Sequence, residues 1–211
     1  MNINYNHIVD YLNNIYIDED FIELRNYGIE NNIPIMKLET KEFLKTLISI
    51  SKPKNILEIG TAIGYSSLLF SKYSNANITT IEKSKDISEI AKANFSKYNK
   101  KINLINMDAK KALNNFNQGF DFVFIDANKS QYEYYFNESL KLLNENGLIV
   151  CDNILFRGEI TNDDLINRRH ITMVKNLRKF LSHITNLDDY VTSIIPIGDG
   201  ISLTTRRVDE R

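Results

Sequence analysis

The sequence predicts an α/β fold: a seven-stranded, mostly parallel sheet preceded by amino-terminal helices and closed by a carboxy-terminal antiparallel hairpin. Three observations carry that expectation. Residues 5–50 lack strand alternation and space their apolar side chains at helical intervals. From Asn55 onward, short apolar runs alternate with amphipathic segments, the pattern of βα units. The last two runs are separated only by IGDG (Ile197 to Gly200), which is too short for a parallel crossover and implies a hairpin.

In the lead-in, Ile8, Tyr11, Leu12 and Ile15 mark one helical face, and Phe43, Leu44, Leu47 and Ile48 another, with a break near Pro34. Seven strands follow: NILEIG, NITTIE, INLIN, FDFVFID, GLIVCDN, YVTSIIPI and ISLTTR. Helical candidates near 64–73, 84–97, 108–115 and 130–143 divide the first five. Those five strands are then parallel and covered on both faces, a Rossmann-like arrangement. No repeat, low-complexity tract or linker interrupts the 211 residues, so one domain is expected, with 1–50 as helical lead-in and 51–211 as the core.

A formal charge of -1 argues against a globally basic nucleic-acid binder; any such partner needs a local patch. The one cysteine, Cys151, lies in an apolar strand, which excludes a disulfide framework and suggests a small buried side chain. No apolar run is long enough to span a bilayer, and the first residues lack a signal-peptide pattern, so a cytoplasmic protein without a membrane partner is expected. His7, His170 and His183 have neither metal-ligand spacing nor triad partners, which disfavours zinc hydrolysis and nucleophilic triads.

Two strand ends carry chemistry. DFVFIDANKS ends in Asp126 with Lys129 three residues beyond, and GLIVCDN ends in Asp152 and Asn153. Together they offer three hard oxygen ligands and one ammonium, a metal site with a candidate base beside it. The plainer reading of each residue is a cap or turn position. Gly60 and Gly64 in EIGTAIGYSS mark a strand-to-helix turn, but Ala62 stands where a dinucleotide fingerprint needs its middle glycine. That disfavours a nicotinamide-dependent oxidoreductase. Glu82 closes the second strand, where an acid in this architecture meets ribose hydroxyls, and Asp108 and Ala109 close the third. Glu58, inside the first strand, needs a donor, which a cationic or amine-bearing ligand would supply.

The set LEIGTAIGYSS, IEK, MDA, FIDANKSQY, CDNILFRG and IGDGISL resembles, over nearly the whole chain, the metal-dependent O-methyltransferases of the catechol and caffeoyl-coenzyme A type, which use S-adenosylmethionine. The resemblance implies that Gly60, Ser66, Glu82, Asp108, Ala109 and Asp126 line the S-adenosylmethionine site, that Met36 closes over it, and that Glu58 faces the methionine part. It assigns Lys129 as general base, and by the same likeness a homodimer is expected. Asp126, Asp152 and Asn153 suit Mg²⁺ or another divalent cation and leave positions for two adjacent substrate oxygens.

The acceptor is read from the segment after the metal ligands. Arg168, Arg169, Lys175, Arg178 and Lys179 fall in a stretch without an acid, and as a helix they would form a cationic stripe opposite Met173, Val174, Leu177, Phe180 and Leu181. A solvated helix face is the ordinary explanation; phosphate capture is the other. With Arg157 at the substrate mouth, ENNIPIMKLE, DNILFRG, the RRH segment and IGDGISLTTRR look like the bacterial transfer-RNA 5-hydroxyuridine methyltransferase branch. This implies the tRNA anticodon loop as partner and 5-methoxyuridine at the wobble position as product. The alternative is a small-molecule catechol or phenol O-methyltransferase. A non-catalytic RNA-binding protein would leave the ligand set and Lys129 without purpose.

Overall fold

Side-chain alternation along the central strands decides how the layers stack. A computed structural model describes residues 3–16 and 20–208. Strands β1 (Asn55–Ile59), β2 (Asn77–Glu82), β3 (Asn103–Asn106), β4 (Phe120–Ile125), β5 (Leu143–Cys151), β6 (Tyr190–Ile195) and β7 (Ile201–Arg206) form one sheet in the order β3-β2-β1-β4-β5-β7-β6. The first five are mutually parallel; β7 runs antiparallel to β6, as the short IGDG connection requires, and also to β5.

The central run FDFVFI is apolar at nearly every position because both of its faces are covered. Leu57, Ile59, Val123, Ile125, Ile149 and Cys151 point to one side, against Leu113, Phe136, Leu177 and Phe180. Those four belong to α6 (Ala109–Leu113), α7 (Tyr132–Leu142) and α8 (Ile171–Ile184). Ile56, Phe122, Phe124 and Val150 point to the other side, where Leu44 and Ile48 of α3 (Leu38–Ser51) and Phe70 of α4 (Tyr65–Tyr73) meet them. A third cluster joins Leu24 of α2 (Ile22–Glu30) to Leu68 and to Ala91 and Phe95 of α5 (Lys85–Lys97).

The lead-in is helical as expected, with Pro34 between α2 and α3. Its two apolar faces behave differently. Leu44 and Ile48 are buried, whereas the first helix, α1 (Asn6–Ile15), buries no residue and leaves Ile8, Tyr11 and Ile15 exposed. An anionic anchor ties the lead-in down: Asp20 lies 3.4 Å from Lys41, 3.1 Å from Lys45 and 2.5 Å from Lys72, and accepts from the Tyr73 hydroxyl at 2.9 Å. Burial pushes the Asp20 carboxyl up, but the hydrogen bonds from Lys72, Tyr73 and Lys45 outweigh it and hold the group well below the carboxylate range. Among the described residues no helix is long and apolar enough to cross a membrane.

Candidate active site

The parallel strands deliver their carboxy-terminal ends to one rim, and the strand order reverses between β1 and β4, where ligands enter open α/β sheets. A cavity of about 550 Å³ sits there, with a polar recess of about 300 Å³ beside it that Met36, Asp126, Asn153, Arg157 and Asp199 help to wall. Of the residues expected at a cofactor, Met36, Gly60, Ser66, Glu82, Asp108, Ala109 and Asp126 all line the larger cavity.

Gly60 is required by contact as well as conformation. Its φ is +104°, and a Cβ there would lie 2.0 Å from the Asp126 carbonyl oxygen. The tips of β1 and β4 close together only because that position is bare. Ala62 nevertheless takes the left-handed geometry of the missing glycine (φ 45°), and its N–H donates to Glu82 Oε2 at 3.1 Å. Glu82 Oε1 accepts the Ser84 N–H at 2.8 Å. Asp108 caps α6 through the Lys110 N–H (3.0 Å) and pairs with Lys83 at 3.1 Å. The Lys83 and Lys110 bonds hold its carboxyl below the usual range.

Glu58 departs from expectation. It does not line the cavity, and no ligand is needed as its donor. Alternation turns it toward α4 and β2, where it is fully buried and accepts from Ser66 Oγ, Ser67 Oγ and, at 2.5 Å, Thr80 Oγ1. Burial raises its carboxyl from 4.5 to about 7; the three hydroxyls oppose the rise, and the charge of Asp126 adds to it. It reaches the cavity indirectly, through Ser66 and, by way of Thr80, through Thr61, both of which line it.

The second group of residues gathers at the tips of β4 and β5. Ile125 pairs with Cys151, so Asp126 and Asp152 leave adjacent strands side by side. Asp152 is buried; its Oδ1 accepts the Asn153 N–H at 2.6 Å, and its Oδ2 has no partner. Burial, then the neighbouring Asp126 charge, push the Asp152 carboxyl up to about 7. An enclosed, donorless carboxylate oxygen calls for a proton or a cation. With Asn153 (φ 56°) beside it on the cavity wall, the donor set fits a hard divalent cation. Among the described residues no group of three or more His, Cys, Asp or Glu is gathered for a metal, so the candidate set is two carboxylates and an amide.

Lys129 lies in the cavity wall 3.5 Å from Asp126 Oδ1, and its side chain is 14% exposed. Its Nζ donates to the Tyr132 hydroxyl at 3.1 Å, and that hydroxyl donates to the Asp152 carbonyl at 2.9 Å. Burial raises the Tyr132 phenol well above its ordinary value, so it stays protonated and serves as a fixed relay that aims Lys129. Cys151, also buried, has its thiol pushed up to about 12 and is inert.

Sequence reasoning missed Asp199 and Phe156. Asp199 lines both spaces and accepts the Arg157 N–H at 2.6 Å; the IGDG turn that carries it reads as a hairpin connection until the fold brings it over the site. Phe156 and Arg157, at φ 43° and 55°, are side-chain-bearing residues in the left-handed region, a strain of about 1 kcal/mol or more each.

The expected cationic stripe is not a single helical line. Asn167 accepts the Arg169 N–H at 3.1 Å and caps a 3₁₀ turn, Arg168–His170, that runs directly into α8 at Ile171. Arg178 is spent on Asp163 (2.6 Å) and the Ile160 carbonyl (2.8 Å), and Lys179 lies 3.4 Å from Glu133. Arg168, Arg169 and Lys175 remain exposed. The opposite face packs as expected through Val174, Leu177 and Phe180.

Residues 13–207 match the family model described as O-methyltransferase. A caffeoyl-CoA O-methyltransferase of Populus kitakamiensis is 31% identical, over 86% of this chain and 82% of its own. A catechol O-methyltransferase of Niastella koreensis is 28% identical, over 71% and 72%. The O-methyltransferase from Bacillus cereus solved in complex with SAH superposes with a TM-score of 0.81 at 27% identity, covering 95% of this chain and 97% of that one.

Proposed function

The chain belongs to the O-methyltransferase family, and from that premise we propose that it transfers a methyl group from S-adenosylmethionine to one of two adjacent oxygens on a small catechol-type phenol. The observation that carries the reading is the partnerless Asp152 Oδ2, enclosed next to the cavity wall that Asp126, Asn153 and Lys129 line. For the donor, support comes from the SAH-bound relative and from seven expected lining residues meeting at one space. S-adenosylmethionine, when bound, would supply an electrophilic sulfonium methyl, whose carbon passes to an in-line oxygen nucleophile as the thioether sulfur leaves with the bonding pair. A divalent cation, held by Asp126, Asp152 and Asn153, would supply Lewis acidity toward the acceptor hydroxyl.

The residues do the rest. Lys129, aimed by Tyr132 and flanked by Asp126, is placed to receive the hydroxyl proton at Nζ. Glu82 and Asp108 present carboxylate oxygens to a ligand's hydroxyls at the cofactor end of the cavity. Met36 forms part of the wall between the two spaces, and the Arg25 guanidinium holds its carbonyl at 3.0 Å.

A second reading has its own observation. Arg168, Arg169 and Lys175 stay exposed, and their turn is tied to the mouth because the His170 ring packs edge-on against Phe156 in the cavity wall. With Arg157 they would meet the phosphates of a tRNA anticodon loop presenting 5-hydroxyuridine, whose 5-hydroxyl and O4 are likewise adjacent. The deciding experiment offers S-adenosylmethionine and Mg²⁺ with either catechol or tRNA lacking the wobble methyl. The proposal expects EDTA-sensitive methylation of the phenol that is indifferent to joint reversal of Arg168, Arg169 and Lys175 to Glu. Methylation confined to tRNA and abolished by that reversal selects the second reading; transfer to neither acceptor refutes both. The exposed apolar face of α1 supports a homodimer, which light scattering of the purified protein tests.

A further inference from the structure

The segment between Asn153 and Ile171 folds back on itself, and its edge, Phe156 and Arg157, lines the cavity wall. Backbone strain at both residues means that this edge does not hold its shape unaided. One tether is the Asp199 carboxylate on the Arg157 N–H. Besides the packing of Phe156 on the core cluster, a further tether involves residues with no part in the chemistry above. The His170 imidazole meets the Phe156 ring edge-on, with centroids 5.0 Å apart and planes at 85°. Its Nδ1 lies 3.0 and 2.9 Å from the two oxygens of Glu159, which also accepts the Asn167 N–H at 3.2 Å. Glu159 is thus fixed from two sides, and neither it nor His170 touches the cavity.

We infer that His170 and Glu159 are a positioning pair: Glu159 fixes the imidazole, and the imidazole holds Phe156 as the flat wall against which the acceptor's planar ring rests beside Asp126 and Asn153. The inference builds on the O-methyltransferase reading and applies equally to a phenol and a nucleobase, since both present a π face. An aromatic ring held edge-on by a second, hydrogen-bonded ring loses little freedom when a substrate stacks on it.

The chain contains no tryptophan, so Phe156→Trp places one at the mouth, and red-edge excitation reads it apart from the 11 tyrosines. In that background, adding His170→Ala should raise acrylamide quenching about twofold or more and shift emission to the red, as expected for a ring released to solvent. With Phe156 in place, His170→Ala should raise the acceptor KM about fivefold, the worth of one aromatic pair, while kcat and the S-adenosylmethionine KM hold. Glu159→Gln should show the same split in weaker form. In a Phe156→Ala background, His170→Ala should add nothing, because it acts through that ring. Should the alanine variant not fold, His170→Gln removes the ring and keeps a donor for Glu159. Unchanged quenching with unchanged KM, or an equal loss in the Phe156→Ala background, overturns the inference. Failure of the unmodified protein to methylate any acceptor overturns the proposed function instead, and the fluorescence comparison still judges the pair.

Discussion

Replacing Glu58 by Gln should make the protein more stable at high pH, and the size follows from the carboxyl's surroundings. Glu58 is fully buried, and its carboxyl titrates at about 7 in the folded chain against an ordinary 4.5. That rise is equivalent to about 3 kcal/mol. Between pH 4.5 and 7 the native state holds more protons at this group than the unfolded chain does, so stability falls as pH climbs. The contribution is fully present below 4.5 and is gone above 7. Asp152, raised from 3.8 to about 7, adds a loss of the same sign, but it is common to both proteins and cancels in the difference. A glutamine keeps the shape, stays neutral, and can both accept from and donate to Ser66, Ser67 and Thr80, whose hydroxyls rotate. Urea denaturation of the ligand-free protein across pH 4.5–8.5 should show Glu58→Gln gaining on the unmodified chain by about 3 kcal/mol from the acid to the alkaline end. Parallel stability curves would refute the reasoning, because they would mean that the three hydroxyls fully solvate the anion.

Other consequences are as direct. Gly60→Ala drives a methyl into the Asp126 carbonyl, so a loss of about 2 kcal/mol or more in thermal unfolding, together with weakened S-adenosylmethionine binding by calorimetry, is expected. Lys129→Met should cut methyl transfer about 100-fold or more in a radiolabel assay while leaving S-adenosylmethionine affinity intact; equal turnover would remove Lys129 from the proton path. Asp20→Asn should destabilise by about 2 kcal/mol in urea, chiefly through buried Lys41, since Lys72 is half exposed; the loss is no larger because Lys41 keeps Glu42 at 3.5 Å.

The strands, their direction and the closing hairpin were legible because burial on both faces writes continuous apolar runs and the IGDG spacing forbids a crossover. The lining residues Gly60, Glu82, Asp108 and Asp126 were legible for the same reason: each sits at a strand end, and in a parallel sheet all such ends meet on one rim. Glu58 was misread because which neighbour meets an inward side chain depends on α4 and β2, neither of which a local motif specifies. Arg168 and Arg169 fall outside α8 because Asn167 caps a 3₁₀ turn there before the α-helix begins, a change of period that apolar spacing alone does not reveal.

By itself the sequence determined the sheet and the rim to which the ends of β4 and β5 are delivered, since local periodicity and strand-end position are encoded residue by residue. Only the tertiary structure decided that Asp152 would be enclosed without a donor, that Asp199 of a distant hairpin turn would hold Arg157, and that His170 would pack on Phe156. Those contacts join segments far apart along the chain or across a folded loop, and their energies depend on burial and orientation, which exist only once the layers have packed.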